Sequence, residues 1–299
     1  MKHIHSTRVA SLLCLAVLLL AGGLRIHSQP QDQVDGDSHS VRVAVCQTLC
    51  IDSDREGNLR RITYALETAA ADGAQIACFP ETAILGWVNP EAHDLADPIP
   101  GKTSDELAAL AKQHGLMICI GLCEKSDGNL YDSVILIGSD GQILAKHRKV
   151  NILTELMDPP YTPGNPYAIP VVDTPIGRVG MLICADTFKD ELVQTIKSKS
   201  ADLLLVPYGW AAMREQWPEH GKNLEAWVIS TAKRAGCPVV GTDVVGAISS
   251  GPWQGMTYGG QSVVVATDGT VIGTLRDRDV DVQTFDVPLG SAISQDDRP

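Results

Sequence analysis

From Val41 onward, short and almost wholly apolar runs alternate with segments whose apolar residues recur every three to four positions, and this alternation constrains the fold most. Residues 41–47, 75–79, 116–123, 132–137, 143–152, 179–183, 202–206, 238–243, 261–267 and 281–286 read as strands. Residues 58–71, 103–114, 187–198 and 218–235 read as helices. Ile62, Leu66 and Ala69 share one face of the first helix, Thr103-Ser104-Asp105-Glu106 has the pattern of a capping box, and Asp127-Gly128-Asn129 marks a turn between strands. Strands alternating with helices imply α/β layering. The roughly 250 residues from Val41 to the last strand suit one large domain.

Three of the strands run into groups that can do chemistry. The run 179–183, bounded upstream by Thr174-Pro175-Ile176-Gly177, ends at Cys184, and Phe188, Leu192, Val193 and Ile196 then follow at helical spacing with Asp186 or Thr187 able to cap. A thiol at such a joint lies near the positive end of a helix dipole, which favours the thiolate. The run 75–79 leads into Pro80 and Glu81, and the run 143–152 carries the cluster Lys146-His147-Arg148-Lys149. Strand ends are where α/β scaffolds present catalytic groups. Cys184 as thiolate can attack a carbon bonded to nitrogen. Glu81 can take the thiol proton, hand it to the departing nitrogen and then activate water. Lys149 and the backbone N–H of Ala185 can hold the negative oxygen of the intermediate.

Phe79-Pro80-Glu81, His147-Arg148-Lys149-Val150 and Cys184-Ala185-Asp186, in this order and spacing, resemble the carbon–nitrogen hydrolase (nitrilase) superfamily. Tyr161-Thr162-Pro163-Gly164, Gly260-Gln261-Ser262 and Asp268-Gly269 support the resemblance, which spans residues 41–287. It implies a four-layer α-β-β-α sandwich, often dimerised through the nucleophile-side helices, and the roles just given for Glu81, Lys149 and Cys184. It also implies a fourth acidic residue between the lysine and the Pro-Gly stretch. Glu155 is the nearest candidate, although the family's spacing would fall on Met157, and Asp158 is the other. Asp186 matches an acidic family position and reads as structural, capping the following helix. Nitrile-cleaving members commonly have Trp after the nucleophile; Ala185 here favours amides or N-carbamoyl compounds. Tyr208, Trp210 and Met213, on a segment rich in aromatic and polar side chains, are candidates for the pocket. An N-acyltransferase using the same thioester, a nitrile hydrolase and a catalytically silent binding module are the alternatives. No cofactor and no metal are expected.

Residues 1–28 pair Lys2 and Arg8 with an apolar core from Val9 to Leu24, the pattern of a secretory signal peptide and hence of export to the periplasm or medium, or of a membrane anchor if uncleaved. Residues 29–40 read as a flexible leader, 41–288 as the hydrolase domain and 289–299 as a tail. The formal charge is −12, and loss of Lys2, Arg8 and Arg25 would take it to −15. Such a surface is unsuited to nucleic acid, whose phosphates need clustered Lys and Arg. Gly101-Lys102-Thr103 is not the end of a phosphate loop, since Ala96 stands where the first glycine is required and Pro98 and Pro100 interrupt it. Of the eight cysteines, Cys14 falls in the expected signal peptide, leaving an odd seven and so at least one free thiol. Cys119 and Cys123 lie about 13 Å apart on one strand and cannot bridge. Cys46, Cys78, Cys119 and Cys237 read as small buried hydrophobes.

Overall fold

The computed structural model describes residues 39–290, so the expected signal peptide at 1–28, nearly all of the expected leader at 29–40 and most of the tail at 289–299 lie outside the described residues. The first half contains β1 (Ser40–Gln47), α1 (Arg55–Ala71), β2 (Ile76–Cys78), the single turn α2 (Ala92–Leu95), α3 (Lys102–His114), β3 (Met117–Ser126), β4 (Asn129–Ile137) and β5 (Ile143–Arg148). The second half contains β6 (Val171–Thr174), β7 (Gly177–Met181), α4 (Asp190–Ser198), β8 (Leu203–Tyr208), β9 (Ala211–Ala212), α5 (Glu219–Ala235), β10 (Val239–Asp243), β11 (Val245–Ala247), β12 (Thr257–Gly259), β13 (Val263–Val265), β14 (Val271–Thr274) and β15 (Asp281–Pro288).

Two six-stranded sheets result, ordered β15-β1-β2-β3-β4-β5 and β14-β13-β10-β8-β7-β6, with β11, β12 and β9 forming a small third. The central strands β1, β2 and β3 are mutually parallel, as are β7, β8 and β10, while the flanking strands pair antiparallel. Strict alternation along β1 separates the layers. Val41, Val43 and Val45 pack with Val179, Met181 and Leu205 of the second sheet, whereas Ala44 and Cys46 pack with Ile62 and Leu66 of α1 and Leu107 of α3. On the far side, Leu192 and Ile196 of α4 and Leu224 and Val228 of α5 join the inner core. This is the expected α-β-β-α sandwich, and it explains why the central strands read as unbroken apolar runs: both faces are covered. Leu66 is 0% exposed at the α1–sheet junction. Leu66→Ala is expected to cost about 2–5 kcal/mol, visible in urea unfolding.

Several local readings change. The helix from Lys102 is closed not by a Thr103–Glu106 box but by Ser104, whose Oγ accepts the Gly101 N–H at 2.9 Å. Thr103 instead donates to Asp97 Oδ2 at 2.6 Å, and Glu106 pairs with Arg55 at 2.9 Å. The strand read as 143–152 ends at Arg148. The helix read from Thr187 begins at Asp190, because residues Cys184–Phe188 form a separate 3₁₀ turn. The short strands β6, β9, β11, β12 and β14 were not expected; with two to four residues each they carry little periodicity. All seven described cysteines are buried free thiols. No helix among the described residues is long and apolar enough to cross a membrane.

Candidate active site

The ends of β2, β5 and β7 meet where the two sheets face each other. Glu81, Lys149 and Cys184 are 1%, 2% and 6% exposed, so three polar groups share one dry location. Glu81 is fixed from both sheets. Its N–H donates to the Tyr208 carbonyl at 3.3 Å, and the turn holding it lies against Gly121, whose N–H donates to the Pro80 carbonyl at 3.0 Å. A Cβ at position 121 would stand 2.6 Å from Glu81 Cα, so only glycine lets β3 support the turn this closely. Lys149 is clamped by its neighbours: its N–H donates to the Asp132 carbonyl at 2.8 Å and its carbonyl accepts the Gly164 N–H at 2.7 Å. The Tyr161–Gly164 stretch lies over the lysine for the same reason, since a Cβ at Gly164 would meet the Arg148 carbonyl oxygen at 2.1 Å.

Cys184 sits at φ +38°, in the left-handed region, which costs a non-glycine residue about 1–3 kcal/mol. The turn is held in that state by its own hydrogen bonds. The Thr187 hydroxyl donates to the Cys184 carbonyl at 2.7 Å, and the Asp186 N–H donates to the Ile183 carbonyl at 2.8 Å. Asp186 does not cap α4. Its Oδ1 accepts the backbone N–H groups of Val150 at 2.9 Å and Asn151 at 2.8 Å, and its Oδ2 accepts the Ile183 N–H at 3.2 Å and lies 2.8 Å from His147 Nε2. Asp186 therefore ties the turn at Cys184 to the segment that carries Lys149.

The Lys149 ammonium donates to Glu81 Oε1 and lies 3.3 Å from Asp132 Oδ2. Burial pulls the lysine pKa down, but the charges of Glu81 and Asp132 more than offset it, so Lys149 is held above its ordinary value and stays protonated. Burial, then repulsion from Glu81, pushes the Asp132 carboxyl well up. Burial and the Glu81 charge likewise raise the Cys184 thiol well above its usual range, only partly opposed by Lys149 and by a hydrogen bond from the Gly209 N–H. Cys184 thus rests as a thiol, not as the helix-activated thiolate that its position before a helix predicts, because α4 begins six residues later. It needs a base. The second oxygen of Glu81 has no hydrogen-bond partner and points toward Gly209, from which a Cβ would stand 3.0 Å away.

The other expected positions divide. Glu155, on a one-turn 3₁₀ helix, and Asp158 are both exposed and do not meet Lys149; the additional buried carboxylate at the lysine belongs to Asp132. Asp132 lies on β4, beside the end of β5, so sheet pairing and not proximity along the chain delivers it. Asp132→Asn is expected to slow turnover about 10–100-fold, equivalent to roughly 1.4–3 kcal/mol, while Glu155→Gln stays within about twofold; paired kcat measurements check this. Ala185 is fully buried beside Cys184, its carbonyl accepting from Asn151 Nδ2 at 2.7 Å. Trp210 lines a cavity of about 170 Å³ that opens on Cys184, Ala185 and Gly209. Tyr208 lies beneath it, fully buried with its hydroxyl 3.4 Å from Thr187 Oγ1, and Met213 is 47% exposed and away from the cavity. His220, at the end of the same aromatic and polar segment, also lines it, and the sequence reading missed Trp87, Leu153, Phe188 and Trp253. It also missed Asp243, a buried carboxylate that accepts the Trp210 N–H at 2.7 Å and so fixes the turn containing Gly209.

A buried thiol, a carboxylate and an ammonium at the junction of two sheets, on an α-β-β-α sandwich, define a class of thiol-bearing α/β protein. The chain belongs to the carbon–nitrogen hydrolase family, whose model matches residues 42–296. Among curated proteins it is 31% identical to a bifunctional nitrilase/nitrile hydratase of Lupinus angustifolius, over 61% of this chain and 57% of that protein. It is also 31% identical to an omega-amidase of Bos taurus, over 56% of this chain and 63% of that protein. The match therefore spans about three fifths of the length of these relatives. Among solved structures, a carbon–nitrogen hydrolase from Helicobacter pylori superposes with TM-score 0.73 at 21% identity, covering 83% of this chain and 89% of that one. An amidase variant from Nesterenkonia sp., carrying the acetamide moiety of fluoroacetamide on its active-site cysteine, superposes with TM-score 0.71 at 24% identity, covering 87% and 94%.

Proposed function

We propose that the protein is a thiol-dependent amidase that hydrolyses a carboxamide through an acyl group carried on Cys184. The observation that carries this reading is a buried thiol sharing its site with a buried carboxylate whose second oxygen is unpartnered and whose first is held by Lys149. Glu81 takes the Cys184 proton as Sγ bonds to the carbonyl carbon. The oxygen that becomes negative is held by Lys149 and the Ala185 N–H, in a site where low dielectric strengthens both. Glu81 returns the proton to nitrogen, the C–N bond breaks and ammonia leaves. Water, deprotonated by Glu81, then adds to the thioester, the C–S bond breaks and the acid departs, restoring the thiol.

The omega-amidase and nitrilase relatives support carbon–nitrogen substrates in general, and Ala185 after the nucleophile supports the amide over the nitrile. Ammonia release from aliphatic amides, amino-acid amides, N-carbamoyl amino acids and nitriles tests the reading. Release from amides, absent in Cys184→Ala, is the predicted outcome; release from nitriles alone would replace it with a nitrile hydrolase. Export through residues 1–28 and assembly into a homo-oligomer are proposed alongside, to be read by N-terminal sequencing of the secreted protein and by light scattering.

A further inference from the structure

Resting on the amide reading above, we propose that the cavity at Cys184 takes a neutral, apolar acyl group, aliphatic or aromatic, and excludes acyl groups that carry a carboxylate. The walls are largely aromatic. Trp87 and Trp253 meet edge to face with centroids 5.7 Å apart, and Phe188 and Trp210 do the same at 6.0 Å. Leu153 completes the apolar lining. The sole titratable side chain on the wall besides Cys184, among the described residues, is His220, stacked on Trp210 with centroids 5.4 Å apart and planes at 25°. Burial lowers its pKa, so the ring facing the acyl group is neutral near pH 7. No Lys or Arg lines the cavity among the described residues, and the Lys149 ammonium, which holds the reacting oxygen, is already paired with Glu81 and Asp132 and lies off the cavity wall.

Size sets the upper bound. A cavity of about 150 Å³ accommodates benzene, so the 170 Å³ here holds roughly six carbons beyond the carbonyl. A carboxylate in the same space would lose its water without gaining a cation, and would meet the charge of Glu81, whose unpartnered oxygen points toward Gly209 on the cavity wall. Discrimination of about a thousandfold in kcat/KM against such a substrate follows from the desolvation of one uncompensated charge.

The test pairs glutaric acid monoamide with 5-methylhexanamide, which replaces its carboxylate by an isopropyl group of similar shape. Turnover of both by the wild-type protein is measured, and binding of both to Cys184→Ala is followed by tryptophan fluorescence, since three tryptophans line the cavity. The proposal predicts turnover and binding of the neutral amide, with the anionic one weaker by about a thousandfold. His220→Arg, whose guanidinium can stack on Trp210 as the imidazole does, is expected to raise kcat/KM for the anionic amide at least about tenfold. Equal binding of the two amides, preference for the anionic one, or binding of neither overturns the proposal. Selective binding of the neutral amide without any turnover upholds the pocket assignment and sinks the hydrolytic reading instead.

Discussion

Cys184→Ala is expected to reduce amide turnover by about 10⁵-fold or more, to the level left by binding alone, because the step that forms the acyl group has no other acceptor. The protein should remain folded. Removing one sulfur from a site that already opens on a cavity costs little packing, and alanine at φ +38° bears the strain that cysteine bears. Unfolding midpoints of the two proteins should therefore agree closely while their kcat values diverge. Comparable losses in both would instead assign Cys184 to packing, as for Cys46 and Cys119, both 0% exposed.

Glu81→Gln comes next in size. The amide keeps the shape of the carboxylate and can still accept from Lys149, and Asp132 Oδ2 remains 3.3 Å from the ammonium. What it cannot do is accept the thiol proton. With Cys184 held well above the usual thiol range by burial, attack then depends on the rare ionised thiol, and the loss is expected to reach about 10⁴-fold in kcat. The sign of the pH response follows from the same shift. A raised thiol pKa means that the thiolate fraction grows as pH rises through the alkaline range, so the residual activity of Glu81→Gln should climb with pH up to that raised pKa. A flat profile would show that another group supplies the base.

How much of this was legible in the sequence depends on what each feature rests on. The central strands were readable because both faces of each sheet are covered, which leaves Val43, Ala44 and Val45 all at 0% exposure and makes the run continuous. The short β9, β11 and β12 exist only because they pair with one another, and two or three residues give no period to detect. Glu81 and Cys184 stand out because each lies at the end of an apolar run, and Lys149 because it belongs to the one dense cationic cluster, at the end of β5. Asp132 did not, because on β4 it reaches Lys149 by lying beside β5, and a search along the chain beyond the lysine finds Glu155 first. Asp186 looked like a helix cap since it precedes a helical pattern by a few residues, yet the 3₁₀ turn intervenes and turns its carboxylate toward Val150 and Asn151. The aromatic cavity was least visible. Its walls come from residues 87, 153, 188, 210, 220 and 253, and only Trp210 and His220 lie in the segment 208–220 whose composition singles it out.

The central claim is that the acyl group passes through Cys184, and the most direct measurement is mass spectrometry of protein quenched in acid during amide turnover. The predicted result is a mass increase equal to the acyl group, mapped to the peptide that contains Cys184 and absent from Cys184→Ala. An acyl group found on a different residue, or undiminished turnover by Cys184→Ala, would contradict it.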